Sequence, residues 1–91
     1  MEITVIYNSY LIRQITNKNS EAVVTKSGSS LENLIQILKE FYGDEMEKIL
    51  YDAENKKLKV LVMVNGESVI KTDHLFEEKD VVNIFPFISG G

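Results

Sequence analysis

Two hydrophobic periods divide the chain, one of two residues and one of three to four, and they predict strands and helices in turn. In "ITVIY", residues 3–7, Ile3, Val5 and Tyr7 share one face while Thr4 and Ile6 share the other. "EAVVT" at 21–25 reads as a second strand, paired with the first as a hairpin after the polar "TNKNS". Leu31, Leu34, Ile35, Leu38, Phe41 and Tyr42 then recur at the spacing that lines one side of a helix. Ser29 and Glu32 have the reciprocal capping spacing at its start, and Gly43 is the residue that ends it. Asp44 and Glu47 repeat the capping spacing beside Met46, Ile49 and Leu50, which predicts a second, short helix before the polar loop "DAENKK".

Alternation returns over 58–64, where Leu58, Val60, Val62 and Val64 point to the helix and Lys59, Leu61 and Met63 point away. Asn65-Gly66 accepts the positive φ angles of a tight hairpin turn, so a short fourth strand follows at about 67–70. After the charged connection "KTDHLFEEKD", "VVNIFPF" forms the last strand. There Val82, Ile84 and Pro86 face the core, and Val81, Asn83, Phe85 and Phe87 face outward. This order predicts an α+β fold of the β-grasp (ubiquitin-like) kind. It is a mixed sheet of about five strands with one long helix packed across one face, and the first and last strands are central and parallel. The domain is expected over 1–88, with a flexible Ser-Gly-Gly tail at 89–91.

The sheet's outer face would carry Ile6, Leu61, Met63, Phe85 and Phe87, with no second layer of sequence to cover them. Such a cluster is a candidate docking surface for a partner. Under the opposing expectation, the strand ends, the 8–16 segment or the 71–79 loop folds back and hides it.

Composition narrows the function. A domain of 91 residues buries only about 60–65% of its unfolded surface, which leaves little room for an internal cleft. With no cysteine there is no disulfide, no thiolate metal cage and no thiol nucleophile. A net charge of −4 argues against nucleic acid and favours a protein partner with a basic surface. The longest apolar run, "LKVLVMV", is far short of the roughly 20 residues that span a bilayer. Strand-like sequence begins just after Met1, leaving no leader segment, so a cytoplasmic location is expected.

Few residues could carry chemistry. His74 is alone and reads as a loop residue. Asp44, Glu45, Glu47, Asp52 and Glu54 lack the ligand order of a calcium loop and read as a solvated face. Gly28 is isolated, so no phosphate-cradling loop is present, and no metal or cofactor is expected on this chain. There remains the end of the sequence. Gly90 and Gly91 have no side chains to block passage through a tight channel, and residues 88–91 extended reach about 13 Å. The α-carboxylate of Gly91 would be the reactive group, inert until activated as an acyl adenylate and then open to sulfide or an amine.

The stretch Leu58–Gly91 resembles the MoaD branch of the MoaD/ThiS-like sulfur carrier proteins. Val64-Asn65-Gly66, Asp80-Val81, Phe85-Pro86 and Ser89-Gly90-Gly91 match that family's pattern in order and approximate spacing. "RQITNK" at 13–18 is similar to the family's Arg-Glu-Ile-Thr-Gly-Lys segment. Two residues depart: Lys79 stands where the family has glycine, and Phe87 replaces the second proline of a pair.

The resemblance implies a carrier that is not catalytic alone. Gly91 would be adenylated by a ubiquitin-activating-like adenylyltransferase using ATP and magnesium, then converted to a thiocarboxylate, while Gly90 and Ser89 thread the tail. The loaded chain would act as the small subunit of molybdopterin synthase, docked on the large subunit with Phe85 in the interface, in molybdenum or tungsten cofactor synthesis. The alternatives are a ubiquitin-like modifier joined to lysines through Gly91, a carrier serving thiazole synthesis or tRNA thiolation, and an interaction module whose tail is inert.

Overall fold

The computed structural model describes residues 1–87. β1 (Glu2–Tyr7) buries Ile3, Val5 and Tyr7, as alternation requires. β2 (Ser20–Val24) runs antiparallel to it with Ile3 opposite Val23. β7 (Val81–Pro86) lies on the other side of β1 and parallel to it. β5 (Val60–Val64) is antiparallel to β7, and β6 (Glu67–Val69) is antiparallel to β5. The sheet order is therefore β2-β1-β7-β5-β6, with the first and last strands central. Asn65 and Gly66 make the β5–β6 turn at φ 51° and 85°, the left-handed pair that such a hairpin needs.

The long helix, α2 (Leu31–Tyr42), buries Leu31, Leu34, Ile35 and Leu38 against the sheet. Its cap is Ser30, one residue later than the Ser29 spacing indicates. Ser30 Oγ accepts from the Asn33 N–H, and Asn33 Oδ1 accepts from the Ser30 N–H. Ser29 is instead buried, its hydroxyl donating to the Lys26 carbonyl and its own carbonyl accepting from Phe76. Phe41 does not join the buried stripe and is exposed. The stripe continues through Tyr42, four residues beyond Leu38, which leaves Phe41 on the solvent side.

Gly43 ends α2 at φ 89° and leads directly into α3 (Asp44–Leu50), which buries Met46 and Leu50. Asp44 is the first helical residue and not a cap, and no side chain caps this helix. Lys39 reaches from α2 to Glu47 at 3.4 Å and to Asp44 at 3.9 Å.

Three features lie outside the sequence reading. A helix, α1 (Tyr10–Thr16), fills the 8–16 segment; Ser9 caps it and Ile12 is buried. β3 (Tyr51–Asp52) and β4 (Lys57–Leu58) form a small separate hairpin, so the strand expected over 58–64 is split at Lys59, whose N–H donates to Leu50. In the charged connection, Phe76 is buried and His74 stacks edge-on against it, with ring centroids 5.6 Å apart.

One polar group ties the layers together. Glu21 on β2 accepts from the Tyr7 hydroxyl of β1 at 2.6 Å, from the Tyr42 hydroxyl of α2, and from Lys18 at 3.2 Å. Burial pushes the Glu21 carboxyl up, but the hydrogen bonds from Tyr42, Tyr7 and Lys18 outweigh it and hold the group below the usual carboxylate range. Burial raises both tyrosines above their ordinary values, and Glu21 adds to the effect. Among the described residues no helix is long and apolar enough to cross a membrane.

Candidate functional site

The strand that leads to the chain's last residues is fixed at its start by a buried corner. Asp80 is 7% exposed. Its carboxylate accepts from Asn65 Nδ2 at 2.8 Å and from the Glu77 N–H at 2.8 Å, and its carbonyl accepts from the Thr4 N–H at 2.9 Å. Asn65 Oδ1 in turn accepts from the Val81 N–H at 2.9 Å. The Asn-Gly turn and the acidic step before β7, two separate motifs in the sequence, are thus one hydrogen-bonded unit. It sets the register of β5, β7 and β1 together. Every side-chain polar atom buried there has a partner, the condition under which a buried carboxylate supports a fold.

From this corner β7 and β5 run side by side, and outward side chains meet in cross-strand pairs. Phe85 stands opposite Leu61, and Asn83 opposite Met63. Leu61, Met63 and Phe85 are half-buried, and Phe87 is 57% exposed. With Pro86 they line an open apolar groove of about 430 Å³. No titratable side chain lines it, so this surface can bind but cannot move a proton.

Pro86, expected to face the core, is exposed. It lies at the end of β7 opposite Val60, past the last buried residue of its own strand. Ile6 is also half-buried on the outer face but lies apart from the groove, beside Asn83. Asn83 separates Ile6 from Met63 and takes a hydrogen bond from Asn8 at 2.9 Å. Neither the 8–16 segment nor the 71–79 loop lies over the groove. α1 packs against β1 and α3, while the 71–79 loop is tied to α2 by a Ser30–Leu75 bridge and a Leu31 N–H to His74 carbonyl bond.

Phe87 is the last described residue; Ser89, Gly90 and Gly91, and with them the boundary at residue 88, lie outside the described residues. Among the described residues no group of three or more histidine, aspartate or glutamate side chains is placed to hold a metal ion. Of the acidic residues near α3, Glu47 and Asp44 pair with Lys39, and Asp52 accepts from Asn55. His74 is a half-buried loop residue.

Comparison with known proteins agrees with this geometry. The ThiS family model matches residues 5–91. No curated protein matches the chain at a significant level. Among solved structures, a putative molybdopterin converting factor, subunit 1, from Pyrococcus furiosus is similar at 25% identity and TM-score 0.73, over 97% of this chain and 99% of that one. CysO of Mycobacterium tuberculosis is similar at 26% identity and TM-score 0.73, over 94% and 99%. A chain from the complex of subunits 1 and 2 of molybdopterin-converting factor from Helicobacter pylori gives a match at 15% identity and TM-score 0.65, over 100% of this chain and 100% of that one, a likeness of fold alone. With the family matched from within β1 through Gly91, and the β-grasp strand order present in the sheet, the chain belongs to the ThiS family of ubiquitin-like sulfur carriers.

Proposed function

We propose that this chain carries sulfur as a thiocarboxylate on Gly91 and delivers it in molybdopterin synthesis, docked through the apolar groove on a larger subunit. The observation that carries the reading is continuity. β7 is central in the sheet, its outward residues line the groove, and the sequence runs on from it to Gly90-Gly91 within the family match. A partner gripping Phe85 and Phe87 would hold the start of the last four residues, whose extended reach is about 13 Å.

The chemistry balances without any catalytic group on this chain. The Gly91 carboxylate attacks the α-phosphorus of ATP on an adenylyltransferase, and pyrophosphate leaves. Hydrosulfide from a sulfur donor then attacks the acyl carbon, displaces AMP and releases a proton, leaving the thiocarboxylate. Magnesium and ATP belong to the activating enzyme. The Pyrococcus furiosus relative, by its name, favours a pterin as acceptor.

The test is intact mass of the chain after co-expression with its adenylating enzyme and a sulfur donor. A gain of roughly 16 Da, oxygen replaced by sulfur, is expected at Gly91. Attachment to lysines instead identifies a modifier, and no change at all identifies an inert module. Adding the loaded chain to a large subunit and the pterin precursor should yield a dithiolene and return the unmodified mass.

A further inference from the structure

Leu61 and Phe87, which line the apolar groove, also line a second one. It holds about 320 Å³ and is lined by Leu58, Val60, Leu61, Val69, Ile70 and Phe87, with Lys56 and Lys57 at its mouth. It exists because the sheet's edge opens there. β6 pairs with β5 only as far as Val69 opposite Val62, so Val60 and Leu61 have a strand neighbour on the β7 side alone. Beyond Val69 the chain turns away and leaves Ile70 82% exposed.

The backbone that carries the two lysines is held in a turn. Asp52 accepts from the backbone N–H groups of Glu54 and Asn55 and from the Asn55 side chain. That fixes the tight β3–β4 turn from which Lys56, at φ 54°, and Lys57 project. Both are exposed, and neither makes an ion pair among the described residues. Asp52 stands opposite Lys57 in the hairpin, but its carboxylate is turned to Asn55, and Lys56 and Lys57 are the charged residues that line the groove itself.

We infer that the docking face continues around Phe87 into this groove, which takes a partner segment bearing one apolar side chain flanked by carboxylates. The inference rests on the proposed function, since the partner is the one that receives the tail. Continuity and charge identify the occupant. Leu61 and Phe87 belong to both grooves, so a partner covering the first meets the second. An apolar anchor there would meet Val60, Val69 and Ile70, and its neighbouring carboxylates would meet the lysines. Charges at such a rim govern encounter rate and salt dependence more than the final grip.

The test is titration of the full chain against its adenylating enzyme and, separately, against the large subunit. Wild type, the double variant K56E/K57E, Ile70→Ala and Phe85→Ala are each checked for an unchanged melting temperature. With either protein, K56E/K57E should weaken binding about tenfold at low salt, a difference that fades at high salt, and Ile70→Ala should weaken it severalfold at both. If Phe85→Ala weakens binding while K56E/K57E and Ile70→Ala leave it at the wild-type value, the second groove is unused and the inference is overturned, with the carrier reading intact. If wild type binds neither protein and Gly91 gains no sulfur, both fall together.

Discussion

Lys79 holds a backbone angle that its own side chain opposes. At φ 66° it is in the left-handed region, where a Cβ crowds the following carbonyl, and its N–H is committed to the Glu2 carbonyl at 2.8 Å. The family's glycine at this position meets the same demand without strain. Lys79→Gly should therefore raise unfolding free energy by about 1 kcal/mol in urea melts, the relief of the strained angle exceeding the entropy that a glycine adds to the unfolded chain. No gain would mean that the turn has relaxed around the lysine. The next residue acts in the opposite sense: Asp80→Ala leaves the Glu77 N–H and Asn65 Nδ2 without their acceptor and should cost about 3 kcal/mol. Asp80→Asn, which keeps one acceptor oxygen, should cost less, and a loss equal to that of alanine would show that charge, not geometry, secures the corner.

Between elements, the Glu21 carboxylate is the group most exposed to pH. Its folded value lies below its unfolded one, so the stability it contributes is fully present above the ordinary carboxylate range and is lost as pH falls through the depressed value. Tyr7 and Tyr42 are raised, so their share is present at neutral pH and is lost above about pH 10, the ordinary phenol value. Glu21→Gln should flatten the acid limb of a plot of urea midpoint against pH, and an unchanged limb would place the acid-labile group elsewhere. This network was not legible from sequence, because it joins three elements through side-chain oxygens that obey no period. The helix α2 was legible from its spacing, and the β5–β6 turn from Asn65-Gly66, since both rest on local rules. α1 escaped because Tyr10, Leu11, Ile12 and Ile15 make no clean stripe and only seven residues form it. Phe76 escaped because it lies in a charged run whose backbone is held by Ser29 and Ser30, far away in sequence. Of the candidate site, the face of β5 and β7 was readable from alternation. The separation of Ile6 from the groove was not, since it depends on which strand neighbours which.

At the scale of the molecule, the proposed carrier assigns anchoring to β7 and delivery to the last residues of the chain. Removing Gly91 should abolish sulfur loading and leave the melting temperature within about 1 °C, since the core closes at Ile84. A larger fall would make the tail a structural part of the domain. β7 also has hydrogen-bonded neighbours along both sides, β1 parallel and β5 antiparallel. A tug on the C-terminal end therefore loads those two rows of bonds in shear, all at once, where an edge strand would peel open one bond at a time. The proposed carrier, whose tip would be drawn into one enzyme after another and withdrawn each time, would have its handle on a strand bonded along both sides.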